Sequence, residues 1–505
     1  MIFIHGFCSG PEDWRPQILF FQKMFTVFSP TLRGHDGKND SELPMSIEQL
    51  TIDCENLIAI PSFIDSHIHF LGLAAKLVGH QVSLQENQGL EYFRDQLIKI
   101  DQNDKRSNCL RIYGLDIFHP SADIFFTKDI FDSCVPDRPA ILRFTSGHAV
   151  LLNSKAMSLL GITESTDEIE GATFVRSSDT GELTGVFYEI EALINKSLPA
   201  IPSETIFKGI KSANDLLLSN GFTSFMDATA ENDLSRLNFL AKCVEENIIE
   251  LDVSFMPGYE NLEEFIQSNI RFGTNFEGIK IGPVKLLASF SGGSIHPKDL
   301  KDRVQHCHSL GFPVAIHAVE EEIVYEASEI LSNSYLKGDR LEHVTELSDK
   351  ALDILRQNEI YACVNPSFIY EYGDRYKRLL KSDKFNKIYR FRSMLEQNVL
   401  LGFGSDAPVT IPNGLQFLQS ATRRTTKMNE EISISQKISI IEAIKMATVN
   451  NGLLNGISYS SSSISRSNPA NMILVKSEDL LNIKTNVSNN VLLTMKNGEI
   501  LYSAL

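Results

Sequence analysis

His67 and His69 stand two apart at the end of an apolar run, Ile60-Pro61-Ser62-Phe63-Ile64-Asp65-Ser66-His67-Ile68-His69. Side chains alternate along a strand, so residues two apart share a face. Two neutral imidazoles on one face can grip a borderline metal such as zinc, about 2.0–2.1 Å from each nitrogen. Alone the pair is weak, since two histidines also sit satisfied in many cores. Three more apolar runs close on residues of the ligand type: Val314-Ala315-Ile316-His317, Arg340-Leu341-Glu342-His343, and Val399-Leu400-Leu401-Gly402-Phe403-Gly404-Ser405-Asp406. Each reads as a buried strand with a polar side chain at its C-terminal tip. Four such tips favour a metal centre over chance.

Water attack on an amide-like carbonyl needs a nucleophile at neutral pH and a polarised carbonyl. A bound divalent ion supplies both, lowering the pKa of its water from 15.7 to about 7, and two ions ~3.5–4 Å apart do so more effectively. Four histidines and one aspartate fall short of the ligands for two ions unless an anion bridges them. Lys285, if carbamylated by carbon dioxide, would be that anion; left plain in a barrel interior it would be a costly unpaired charge. Lys280, just upstream on the same strand, competes, but Lys285 lies nearer the expected strand end. Asp406 is the natural general base, able to take a proton from the nucleophile and return it to the leaving nitrogen.

The elements that must position these groups follow from the rhythm of the chain. From residue 203 onward, helix and strand patterns alternate with little interruption. Ser203 opens a helix with Ile206, Ile210, Ala213 and Leu217 on one face, stopped by Asn220-Gly221. Eight strands are expected, at Ile58–His69, Phe222–Asp227, Leu251–Met256, Gly282–Leu287, Val314–His317, Arg340–Val344, Ile360–Val364 and Val399–Gly404. This predicts an α/β fold, a (β/α)8 barrel with a parallel closed sheet, whose C-terminal strand tips converge on the active face.

Residues 71–202 break the rhythm and read as a long insertion after the first strand, within a barrel unit spanning 51–450. Such insertions usually shape the substrate pocket. His148 in this insertion is therefore a candidate substrate contact, with a loop-satisfying histidine as the equal alternative. After residue 450 a Ser-rich loop leads to β-like runs, with Asn497-Gly498 as a hairpin turn. The stretch 451–505 is expected to form a small, incomplete β-sandwich.

The chain has 505 residues, 43% of them hydrophobic and 22% charged, which are values of an ordinary globular protein. A net charge of −17 disfavours nucleic acid or an anionic membrane as partner. The expected partner is a small-molecule substrate, with a homo-oligomer open. Seven cysteines, an odd count without CxxC, suggest reduced thiols and a cytoplasmic setting. No signal peptide or spanning segment is visible.

Several motifs carry a resemblance: Ile60 to His69, Pro136-Asp137-Arg138-Pro139, Gly147-His148 with Asn153-Ser154, Gly181-Glu182-Leu183-Thr184-Gly185, Arg340 to His343, and Gly404-Ser405-Asp406-Ala407-Pro408. With them the chain, from about residue 52, resembles the metal-dependent amidohydrolase superfamily, in particular the family 3 branch that includes N-substituted formamide deformylase. The resemblance implies that His67, His69, His317 and His343 bind one or two divalent ions, most simply zinc, with Asp406 as ligand and proton shuttle. Lys285 occupies the slot of the family's lysine on strand four. The implied activity is hydrolysis of a non-peptide C–N bond in an amide, formamide or cyclic amide. Ser289 and Asn471 depart from the family, which has aspartates there.

Residues 1–50 instead resemble the opening of an α/β-hydrolase, through Phe3-Ile4-His5-Gly6-Phe7 and Leu32-Arg33-Gly34-His35-Asp36-Gly37. Serine-hydrolase chemistry would need a Gly-x-Ser-x-Gly elbow, and the sequence has none. A non-catalytic metal-binding relic of an amidohydrolase is the other alternative.

Overall fold

The computed structural model describes residues 57–504, apart from 86, 105–107, 170, 289–296, 382–383, 459–460, 466–467, 477, 479 and 481–489. The α/β-hydrolase-like segment 1–50 and Ser289 lie outside the described residues.

The run expected as one strand, Ile58–His69, is two. Leu57–Pro61 pairs antiparallel with Met472–Lys476, whereas Phe63–Ile68 pairs parallel with Phe222–Asp227. The break falls at Ser62, after a proline that has no N–H to donate. There the backbone changes partners: Ser62 N donates to Asn471 O (3.2 Å) and Phe63 N to Gly221 O (2.8 Å). Leu57–Pro61 is thereby the edge of a four-stranded sheet completed by Met472–Lys476, Val491–Lys496 and Glu499–Ser503. The predicted C-terminal β element thus gains a partner strand from just before Phe63–Ile68. Asn471 helps seat it, with its Oδ1 accepting from Asn497 N at 2.7 Å.

The remaining strands of the series form two sheets. One has the spatial order Asn275–Phe276, Ile279–Ile281, Asp252–Phe255, Phe222–Asp227, Phe63–Ile68; the other runs Val284–Leu287, Val314–Ala318, Arg340–His343, Tyr361–Val364, Leu401–Phe403 with every pairing parallel. Each expected strand position carries a strand, the first split in two, four others trimmed by one or two residues and Val399–Gly404 by three, while the antiparallel Asn275–Phe276 and Ile279–Ile281 pair is an addition. Strand ladders do not run continuously around, but both gaps are bridged. On one side Gly282 N donates to Phe255 O (2.8 Å) and Lys285 N to Pro257 O (2.9 Å). On the other, Asn451 exchanges bonds with Phe403 (N to Oδ1 2.7 Å, Nδ2 to O 2.7 Å) and also donates to Ile64 O.

Helices cover the outside of these sheets. Ser203–Ser219 buries Ile210, Ala213 and Leu217 and ends at Gly221, whose φ of +85° suits a residue without a Cβ. Ser367–Leu379 and Phe391–Glu396 are two separate helices between the strands Tyr361–Val364 and Leu401–Phe403. The core formed by the strands and helices includes Phe63, Phe222, Phe225, Phe255, Leu341, Phe403 and Phe417, all fully buried.

The stretch read as an insertion from the sequence forms a sheet of its own. Six strands lie in the order His80–Gln81, Leu110–Leu115, Ala140–Phe144, Ala149–Leu152, Leu183–Tyr188, Thr173–Arg176. Leu90–Asn103 and Lys128–Cys134 pack over it with a separate apolar cluster that includes Phe93, Leu97, Phe131 and Leu142. Asn153 is the hub of this unit. Its Oδ1 accepts from Ala140 N and Ala156 N, both at 2.9 Å, and its Nδ2 donates to Val135 O and Arg138 O. Among the described residues, no helix is long and apolar enough to cross a membrane.

Candidate metal centre

Six of the seven residues singled out from the sequence converge at the strand tips, and the seventh, His148, faces them from the insertion. His67, at the tip of Phe63–Ile68, is 1% exposed. Its Nε2 lies 3.5 Å from Asp406 Oδ1 and 3.3 Å from Lys285 Nζ. His69 Nε2 lies 3.0 Å from the same Asp406 oxygen. The ring of His343 sits 4.8 Å from that of His67 and 4.4 Å from that of His317, centroid to centroid. His148 follows, 5.8 Å from His317. Lys280 is elsewhere, with its ammonium on the Gly456 carbonyl, so of the two lysines it is Lys285 that reaches the cluster.

The backbone is bent to make this possible. His343, Val344 and Asp406 have φ of +71°, +45° and +56°, in the left-handed region that non-glycine residues seldom occupy. Strain of this kind clusters at functional sites, where surrounding structure over-determines it. The strand tip before Asp406 also runs unusually close to His67. A Cβ added at Gly404 would lie 2.5 Å from His67 Cβ, a separation real atoms do not tolerate.

Each of four histidines has a partner behind it. His67 Nδ1 pairs with Glu342 Oε2, and Glu342 Oε1 takes the Arg340 Nε–H. Nδ1 of His69 lies 3.1 Å from Thr229 Oγ1, that of His343 2.7 Å from Asn365 Oδ1, and that of His148 2.7 Å from Glu189 Oε1. Glu342, Thr229, Asn365 and Glu189 were not assigned roles from the sequence. Glu342 carried a readable signal, a carboxylate inside an apolar strand; the other three sit in loops with no distinguishing pattern.

The electrostatics suit metal ligation. Burial, the largest influence, pushes the His67 and His317 imidazoles well below their ordinary value and lowers His343 too, which keeps all three neutral donors. Burial likewise lowers the Lys285 ammonium. For Asp406, burial works upward, but the close approach of His69 and the neighbouring imidazoles of His67 and His343 outweigh it and hold the carboxyl far below the usual range. At His148, burial works downward, and the Glu189 carboxylate overcomes it and raises the imidazole. Asp65, fully buried beneath the cluster, is pushed by burial up to about 7.

These residues fit a divalent ion. Asp406 Oδ1 is a buried oxygen without a hydrogen-bond donor within good geometry, and together with one nitrogen each of His67 and His69 it forms a set whose atoms lie within 4.8 Å of one another. Buried polar atoms in native structures are rarely left so. The cluster opens on a cavity of about 1150 Å³ lined by His69, Lys285, His317, His343 and Asp406 below and by His148, Tyr113, Arg143 and Glu189 from the insertion. Arg143 is held there by Glu191, with contacts of 3.1 and 3.0 Å.

Comparison with known proteins is consistent with this geometry. The family described as the Amidohydrolase family matches residues 50–502. Protein LONG AFTER FAR-RED 3 of Arabidopsis thaliana is 24% identical over 94% of this chain and 85% of its own length. N-substituted formamide deformylase of Arthrobacter pascens is 21% identical over 84% of each chain. Among solved structures, an uncharacterised metal-dependent hydrolase from Pyrococcus horikoshii has a TM-score of 0.65 at 20% identity, covering 84% of this chain and 86% of that one. The likeness extends to the fold.

Proposed function

Since the chain belongs to the amidohydrolase family, we propose that it is a metal-dependent hydrolase of a non-peptide C–N bond, in an amide, formamide or cyclic amide. We read its two strand arcs as halves of one (β/α)8 barrel, its C-terminal strands as a reduced β-sandwich, and residues 71–202 as the insertion that roofs the pocket. The observation that carries the reading is the meeting of His67, His69 and Asp406, with His317, His343 and Lys285 alongside, where all but the buried His67 line one cavity.

In this reading His67, His69, His317, His343 and Asp406 hold one or two ions, zinc being the simplest choice for an imidazole and carboxylate set. A bound divalent ion activates water near neutral pH and polarises the scissile carbonyl. Lys285, whose amine is biased toward its neutral form by burial, is suited to add to carbon dioxide, losing a proton and becoming a carbamate ligand. Asp406 takes the proton from the nucleophile and delivers it to the leaving nitrogen, for which its carboxylate is ionised and within 3.0 Å of His69. His148, oriented through Nδ1 by Glu189, presents its other nitrogen to a polar substrate atom. Tyr113, Phe144, Ile194 and Phe239 along the cavity give an apolar wall for the rest of the substrate.

The test is turnover. Protein loaded with zinc is incubated with N-substituted formamides, linear amides and cyclic ureides, and released amine or ring-opened product is measured. Cleavage within one class is expected. Protein that binds zinc yet cleaves none of the three would leave a non-catalytic metal-binding relic as the better reading.

A further inference from the structure

We propose that Glu342 is a positioning residue that makes His67 the strongest imidazole donor of the metal centre. The inference rests on the metal reading above. Three observations carry it. First, the partner behind His67 is a carboxylate, whereas those behind His69 and His343 are the neutral Thr229 hydroxyl and Asn365 amide. A carboxylate on the far nitrogen fixes the tautomer, leaves Nε2 as the lone-pair donor and raises its basicity. Second, Glu342 is itself locked. Its other oxygen takes the Arg340 Nε–H, and Arg340 Nη2 donates to Ser66 O at 2.8 Å, on the residue next to His67. The relay therefore starts and ends on the same strand. Third, His67, Glu342 and Arg340 are all at most 1% exposed, so bulk water does not compete for these bonds. Cys363, the register partner of Glu342 on the neighbouring strand, sets its thiol within 4.8 Å of the facing Glu342 and His67 atoms and carries no positive charge.

The pairing also explains a polar trio inside an apolar barrel. A buried ion pair contributes little net stability against an apolar replacement. Its position behind one ligand, and none of the others, gives it a different use.

The experiment measures zinc affinity by chelator competition, with the absorption spectrum of the cobalt(II)-loaded protein as a second readout. Glu342→Gln is compared with Thr229→Val and with wild type, and unfolding of each metal-free protein is followed as a control on folding. Glu342→Gln should weaken zinc binding about ten- to a hundredfold and alter the cobalt spectrum, while Thr229→Val has a smaller effect on both. Glu342→Asp, which keeps a charge opposite Arg340 but draws it back from His67, should fold and still lose affinity; it serves if Glu342→Gln does not fold. Wild-type affinity in a folded Glu342 variant, or an equal loss in Thr229→Val, would overturn the proposal alone. A wild-type protein that takes up no zinc would overturn this proposal and the metal reading together.

Discussion

Asp406 is tied to His67 twice, by its backbone N donating to His67 O at 2.8 Å and by its Oδ1 standing 3.5 Å from His67 Nε2. The loop that carries the proposed base is thus hydrogen-bonded to the strand tip that carries the first ligand. Its position follows from the backbone, not from a flexible side chain alone, and this makes the consequence of changing it specific. Asp406→Asn should keep the fold and some metal, because the amide fits the same space, yet lower kcat by about 10²–10⁴, the usual range for loss of a general base. Steady-state kinetics check it; near wild-type kcat would remove Asp406 from the proton path.

Lys285 and Lys280 share a stretch of chain but differ in surroundings, one beside His67 and the other on the Gly456 carbonyl. If Lys285 is carbamylated as proposed, Lys285→Ala should lose most activity and recover part of it when short-chain carboxylates are added, since these would supply an anionic ligand in its place. Lys280→Ala should keep its activity. The reverse pattern in a rescue assay would assign the role to the other lysine.

Gly404 lets the chain leaving the strand Leu401–Phe403 pass against His67. Adding a methyl group there sets a carbon 2.5 Å from His67 Cβ and 3.0 Å from His67 N. Neither atom is the end of a flexible side chain. Gly404→Ala is therefore expected to destabilise the protein by about 1–3 kcal/mol and to weaken metal binding, both read by denaturant unfolding with and without zinc. An unchanged midpoint and unchanged zinc affinity would contradict the packing described.

Asn451 bridges the strands Phe63–Ile68 and Leu401–Phe403 with three backbone contacts. Asn451→Ala leaves those buried backbone groups without their partner, at about 1–3 kcal/mol each. We expect a lower unfolding midpoint and, because the bridged strands carry His67 and lead to Asp406, a less occupied metal site. Equilibrium unfolding and elemental analysis of the same sample read both effects.

The parts legible in the sequence were those with local periodicity. Apolar runs ending in His67, His317, His343 and Asp406 announced their strands, because a buried parallel strand needs an uninterrupted apolar segment and a polar tip stands out against it. The split at Ser62 was less visible, since both halves are apolar and only the proline hints at a change of sheet. Pairing across distance was not legible at all. Nothing near Asn451 indicates that it joins the first and last strands, and Thr229, Asn365 and Glu189 look like ordinary loop residues until folding sets them behind histidines. Glu342 lay in plain view within Arg340-Leu341-Glu342-His343, but its partner is on another strand.

The central claim is that His67, His69, His317, His343 and Asp406 hold a catalytic divalent metal. Elemental analysis of protein purified without chelator, beside His67→Ala and His69→Ala, tests it most directly. The account predicts about one to two divalent ions per chain, chiefly zinc, in the wild type and loss of that metal in both variants. His80→Ala, at a histidine whose ring nitrogen lies 2.8 Å from an Asp104 oxygen away from the cluster, should keep its metal. Wild-type protein that carries none and takes up neither zinc, manganese nor cobalt, or variants that retain full occupancy, would contradict the account.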